Sequence, residues 1–155
     1  MRTRWRGRAS RLRRPPRGGA PAYDVHSVAG AFPAIHHDSV GREVQGFWIE
    51  SQGLTPRVAF FMAGLARPAP GRYPIGLAAE RRVAASLGLS CNRFCAAYVA
   101  IGAAGDELVV TRSTPWAVSG TFRFTAAGNG ILGARREDTL VVEGHFDAPC
   151  GRRDC

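Results

Sequence analysis

The sequence predicts an all-β fold, an antiparallel β-sandwich or open barrel of about seven strands, preceded by a disordered, arginine-rich N-terminal tail. Two segments near the C-terminus, 117–128 and 138–149, alternate apolar with polar residues at the period of two that a half-buried strand requires. Turns rich in glycine and proline separate the strand-like segments. No strong amphipathic helix lies between them, which disfavours a parallel α/β sheet.

The first strand of the domain is predicted in EVQGFWIES (43–51), where Phe47 and Ile49 share one face and Trp48 lies on the other. Between the strands, AAERRVAASLGL (78–89) is the one helix-like stretch, and we expect a short helix or a loop there. Apolar or period-two segments predict the remaining strands at 57–65, 73–77, 92–102, 106–113, 117–128 and 138–149.

These elements divide the chain into four parts. We expect a disordered basic tail at 1–22, a linker or an irregular strand at 23–42, the β-domain at 43–150 and a C-terminal tail at 151–155. The β-domain, with roughly 110 residues, is long enough to bury a real core.

The formal charge of +9 is concentrated at the N-terminus. All 21 basic residues are arginine and eight of them lie in the first 17 residues, so the other 13 nearly balance the 12 acidic residues. The lack of lysine, together with abundant Ala, Gly and Pro, is typical of a GC-rich bacterium. A nucleic-acid-binding tail would use its arginines on phosphates and its tryptophan on a base: Arg2, Arg4, Trp5, Arg6, Arg8, Arg11, Arg13, Arg14 and Arg17. The near-neutral remainder of the chain favours a solvated tail instead.

The N-terminus has the basic start of an export signal, but Pro, Gly, Asp and His interrupt the apolar stretch of about 7–15 residues that should follow. No segment approaches the roughly 18 apolar residues of a transmembrane helix. We therefore expect neither an intact signal peptide nor a transmembrane segment.

Four cysteines, Cys91, Cys95, Cys150 and Cys155, indicate disulfides in an oxidising compartment, because an even number in a small strand-rich chain is typical of secreted domains. The sequence does not choose among the three pairings. A bridge from Cys91 or Cys95 to Cys150 would join the last strand to the middle of the domain, and Cys91–Cys95 is possible across a turn. A four-cysteine zinc site is the alternative, although both spacings exceed the two residues usual in zinc knuckles.

The polar face of the last predicted strand presents Glu143, His145 and Asp147 at intervals of about 6–7 Å. Such a stripe suits a divalent cation or a general acid and base, but the solvated face of an outer strand is the favoured interpretation. If the last two strands pair, Arg123 lies across from Glu143. No catalytic constellation is evident elsewhere, so we predict no enzymatic activity and no cofactor.

Three large aromatic residues, Trp48, Tyr98 and Trp116, are candidates for a platform that stacks on sugars or bases. We expect at least two of them in the core. Trp116 follows Thr114 and Pro115 at the start of a strand and is the best candidate for exposure.

Three stretches, Glu107–Thr111, Val118–Phe124 and Val141–Phe146, resemble the closing strands of a class of uncharacterised bacterial envelope domains, which are often lipoproteins. PGRYPIGL (70–77) is similar to a turn and strand of the same class, and the resemblance extends over about residues 45–148. It implies a secreted or lipid-anchored β-sandwich of unknown activity, with no known catalytic residues. This chain has an arginine tail where the class has a lipobox and an opening strand.

These observations favour a non-enzymatic secreted or periplasmic domain that binds an envelope or extracellular ligand through its loops or outer face. The alternative is a nucleic-acid-associated protein that uses the arginine-rich tail. The envelope hypothesis requires paired cysteines and tolerates loss of residues 1–22. The nucleic-acid hypothesis requires reduced cysteines and binding that disappears when residues 1–22 are deleted.

Overall fold

The computed structural model of the chain describes residues 22–23, 28–37, 41–52, 57–76, 83–91, 95–130, 139–150 and 155. These described residues contain strands and turns but no helix. The ten strands are β1 (Ala22–Tyr23), β2 (Val28–His37), β3 (Glu43–Gln52), β4 (Arg57–Ala63), β5 (Gly71–Pro74), β6 (Val83–Cys91), β7 (Cys95–Ala100), β8 (Glu107–Ser113), β9 (Ala117–Gly128) and β10 (Thr139–Pro149).

The ten strands form one curved sheet in the order β1-β10-β9-β7-β6-β4-β3-β2, with β8 and β5 attached beside β9. Each contact from β2 round to β10 is antiparallel, so these two outer strands run in the same direction. They meet at a parallel bridge between Ala31 and Cys150. The predicted all-β, antiparallel fold is therefore confirmed, and of the two predicted architectures, sandwich and open barrel, the chain forms the open barrel. The described residues contain ten strands where the sequence predicts about seven.

The strand β1 also lies beside β10 and parallel to it. Ala22 pairs in parallel with Val141, and the offset of 119 positions is also that between Ala31 and Cys150. The first strands of the chain thus lie beside its last strand in a single register.

One side of the barrel is forked. The strand β9 pairs with β8 over Val118–Arg123 and with β7 over Ala126–Gly128, and β5 fills the space between β6 and β8. Buried Asp106 bridges this fork: its carboxylate accepts the N–H of Ala103 at 2.9 Å and the N–H of Thr125 at 2.9 Å. The carboxylate thus satisfies a backbone donor at the point where β9 changes neighbours.

The core fills the barrel interior with side chains from alternate positions of the strands. Phe60 of β4 reaches across to the rings of Phe122, Phe124 and Phe146, with centroids 5.0, 5.9 and 6.5 Å away. These tilted and edge-on contacts are the favoured aromatic geometries. They join opposite walls of the barrel, so the interior is packed rather than hollow.

Two glycine–phenylalanine pairs shape the hairpin of β9 and β10. Gly120 lies opposite Phe146, and Gly144 lies opposite Phe122. A Cβ atom at Gly144 would lie 2.9 Å from Cζ of Phe122, and one at Gly120 would lie 2.9 Å from Cζ of Phe146. Each ring therefore occupies the space above a glycine, so a side chain at either position would have to displace the ring opposite it.

The structure corrects the expected helix or loop at 78–89, because Val83–Cys91 is a strand. Val83, Ala85 and Leu87 are buried, and the residues between them are more exposed. The sequence does not reveal this period of two, because alanine and glycine on the outer face differ little in polarity from the buried residues between them. Within the range left as a linker or irregular strand, Val28–His37 forms a regular strand that pairs with β3 along its whole length.

Candidate binding site

The strands β2, β4, β8 and β10 finish at one end of the barrel, where β3 and β9 begin. We call this the Trp116 end, after the residue at the tip of the β8–β9 turn. A groove, an exposed aromatic side chain and a disulfide all lie there, whereas the paired residues Cys91 of β6 and Cys95 of β7 lie at the opposite end.

The groove at the Trp116 end has a volume of about 740 Å³. It is lined by the ends of β2 and β3 and by the segment that follows β4: Pro33, Ile35, Gln45, Gly46, Gly64, Leu65 and Ala66. Pro33 lies opposite Phe47, whose side chain points into the core, so this part of β2 continues the inner face of the barrel to its mouth. Ile35 is 59% exposed, and Leu65 packs against the core below it.

The backbone of the rim is fixed. Gly64 adopts a φ of 72° directly after β4, and its N–H donates to the carbonyl oxygen of Gln45 at 2.9 Å. This left-handed turn is natural for glycine. Leu65 follows this turn directly and lines the groove with its apolar side chain.

The β8–β9 turn holds Trp116 in the solvent, with 72% of the residue exposed. Oγ1 of Thr114 accepts the N–H of Trp116 at 3.3 Å and the N–H of Ala117 at 3.1 Å. The N–H of Thr114 donates to the carbonyl oxygen of Ala117 at 3.0 Å. The prediction that Trp116 is the exposed aromatic residue is confirmed.

A disulfide between Cys150 and Cys155 secures this turn from the other side. The N–H of Cys150 donates to the carbonyl oxygen of Trp116, and the N–H of Cys155 donates to that of Pro115, both at 2.9 Å. The structure thus pairs Cys150 with Cys155 rather than with the middle of the domain, and these two sulfur atoms are unavailable to zinc. In the backbone register, Cys91 lies opposite Cys95.

The polar stripe of β10 lies on the outer face as predicted, with Glu143, His145 and Asp147 exposed. Glu143 pairs with Arg123, whose Nη1 lies 3.5 Å from Oε2, so the predicted cross-strand pair is confirmed. Oδ1 of Asp147 accepts the hydroxyl of Ser119 at 2.5 Å. Glu143 and Asp147 therefore each interact with a side chain of the neighbouring strand β9.

The other aromatic candidates are not available as platforms. Tyr98 is buried in the core, but it is the one member of the three that is, so the expectation of at least two in the core is wrong. Trp48 is half-buried: its Nε1 donates to Oε2 of Glu50 at 2.9 Å and its ring lies 5.8 Å from that of Phe61. Sequence reasoning missed Asp106, for which the only signal was an acidic residue at the end of the turn 103–106.

Among the described residues, no three His, Cys, Asp or Glu side chains converge on a point where they could share a metal ion. In this part of the chain there is also no helix with the length and apolar character to cross a membrane. The predicted nucleic-acid contacts of the tail, Arg2 to Arg17 with Trp5, lie outside the described residues.

Compared with models of protein families, with curated proteins and with solved structures, the chain matches none of them. The resemblance to bacterial envelope domains therefore stays a prediction.

Proposed function

We propose that this protein is a non-enzymatic binding domain of the periplasm or the extracellular space, and that it takes up a small apolar molecule at the Trp116 end. The groove beside Ile35 supports this proposal most directly. Its volume of about 740 Å³ falls within the range of roughly 300–1,000 Å³ typical of small-molecule sites. Such sites are mostly apolar and lie at the mouths of β-barrels.

The occupant that suits this groove is a compact, uncharged organic molecule. Pro33, Ile35 and Leu65 supply apolar surface, and among the described lining residues Gln45 is the one whose side chain has hydrogen-bonding groups. None of these described lining residues is charged. Burial of apolar ligand surface, at about 25 cal/mol per Å², would be the main driving force.

The experiment is a fluorescence titration of the full chain with N-phenyl-1-naphthylamine, an uncharged dye that brightens in apolar surroundings. We expect saturable binding, and we expect Ile35→Asp to weaken it by about tenfold or more, the factor that corresponds to about 1.4 kcal/mol. Ile101→Asp is the matched control, because Ile101 is 46% exposed and does not line the groove. Equal weakening in both variants, or none in Ile35→Asp, would overturn the proposal.

The compartment is proposed from the disulfide between Cys150 and Cys155, since disulfides persist in oxidising environments. Intact mass and N-terminal sequencing of protein from its native cells, prepared without reductant, test it. We expect a mature chain that begins after Arg17 and retains this disulfide. A chain that keeps Arg2 and has only free thiols would contradict it and favour nucleic-acid binding by the tail.

A further inference from the structure

The tip of the β8–β9 turn carries the exposed side chain of Trp116. Its backbone N–H donates to Oγ1 of Thr114, its carbonyl oxygen accepts the N–H of Cys150, and the preceding carbonyl of Pro115 accepts the N–H of Cys155. An exposed ring adds little to the core, so a fixed backbone beneath it is not explained by packing. A residue held on a fixed backbone loses less entropy on binding, which suits recognition.

Hydrogen-bonding groups adjoin this turn on the outer face of the sheet. Arg112 lies two residues before Thr114, and Ser119 pairs with both Arg112 and Asp147. Oδ1 of Asp147 accepts from Ser119 at 2.5 Å and from Nη2 of Arg112 at 3.3 Å. Among the described residues, no group donates to Oδ2 of Asp147 and none accepts from Nε1 of Trp116.

Among the described residues of this face, each arginine of β5, β8 and β9 lies within reach of one carboxylate: Arg72 and Glu107 at 2.7 Å, Arg112 and Asp147 at 3.3 Å, and Arg123 and Glu143 at 3.5 Å. A phosphate-bearing ligand requires an excess of positive charge, which these three ion pairs do not supply. An uncharged ligand with many hydroxyl groups suits this face better.

We propose that Trp116 is the stacking face of a saccharide-binding site, with polar contacts from Asp147 and Arg112. The flat, apolar side of a pyranose ring lies against the indole, which presents an apolar face and one donor. The sugar hydroxyls donate to Oδ2 of Asp147 and accept from the guanidinium of Arg112, and hydrogen bonds to charged groups are stronger than neutral ones. This site is separate from the apolar groove and does not depend on it.

The test follows the indole N–H signal of Trp116 by NMR while the full chain is titrated with three hexasaccharides at millimolar concentration. They are the β-1,4-linked hexamers of glucose and of N-acetylglucosamine and the α-1,4-linked hexamer of glucose. We expect a saturable shift with at least one of them. Calorimetry measures saccharide binding without using the Trp116 signal. By calorimetry, Trp116→Ala should weaken binding about tenfold or more, and Trp116→Phe should retain most of the binding.

Two exposed carboxylates of β10 provide a matched pair of variants. Asp147→Ala should weaken saccharide binding several-fold, whereas Glu143→Ala, on the same strand with its own arginine partner, should leave it unchanged. Binding that survives Trp116→Ala, or no binding of any hexamer, would overturn the proposal. A thymidine decamer that binds through Trp116 where the sugars do not would overturn it in favour of nucleic acid. Binding of N-phenyl-1-naphthylamine is expected to be unaffected by Trp116→Ala, so failure of the two sites can be told apart.

Discussion

Replacing Gly120 with alanine tests the packing of the β9–β10 hairpin most sharply. A Cβ atom there would collide with the carbonyl oxygen of Val109 and lie 2.9 Å from the ring of Phe146. Overpacking of a core costs about 1–3 kcal/mol, and we expect the upper part of this range because a backbone atom must move. The reduced entropy of the unfolded chain returns about 0.4–1 kcal/mol. We therefore predict a net loss of about 2 kcal/mol or more.

Gly144→Ala and Gly71→Ala are the comparison variants. At Gly144 the three nearest atoms all belong to the ring of Phe122, which can yield, so we expect a loss of about 1 kcal/mol or less. At Gly71 the nearest atoms, of Tyr73, lie 3.9 and 4.0 Å away, and we expect no loss. Urea unfolding followed by circular dichroism measures all three. If Gly120→Ala were as stable as Gly144→Ala, the close approach of β8 to β9 at this glycine would be refuted.

Three further predictions concern the buried carboxylate of Asp106, the disulfide and an exposed ion pair. Asp106→Ala should lower the free energy of unfolding by about 2 kcal/mol, because it leaves two partly buried N–H groups without their acceptor, and amide exchange at Thr125 should accelerate; unchanged exchange at Thr125 would contradict this. Cys150→Ser should cost about 2 kcal/mol by the loop-entropy relation for a short loop and should release the N–H of Cys155 to fast exchange, and equal unfolding curves with and without reductant would argue against it. Arg123→Ala should change stability by less than about 0.5 kcal/mol, since its ion pair is largely exposed, and a larger loss in urea unfolding would show that it has another role.

The sequence predicts local pairing well and distant contacts poorly. The alternation in β9 and β10 is enough to place Phe122 and Phe124 inward and Arg123 outward, and the register across the hairpin then brings Glu143 beside Arg123. The exposure of Trp116 follows from its place in a turn that begins with threonine and proline.

The remaining features depend on contacts that local pattern does not encode. The bridge between Ala31 and Cys150 joins residues far apart in the chain, and no periodicity signals it. In the sequence, Asp106 is indistinguishable from an ordinary turn residue. Its role appears only in the folded chain, where its carboxylate accepts the N–H of Thr125 on β9. The groove beside Ile35 is formed by β2, β3 and the segment after β4, and their arrangement depends on strand pairing that no local pattern specifies.

The most direct test of the proposed function is an isoleucine-methyl NMR spectrum of the full chain, recorded before and after addition of N-phenyl-1-naphthylamine. Ile35 and Ile101 are both exposed, but only Ile35 lines the groove at the Trp116 end. A small-molecule site at this end predicts a saturable shift of the Ile35 methyl signal while the Ile101 signal stays in place. A dye that shifts both signals equally, or that shifts Ile101 alone, would contradict a binding site there.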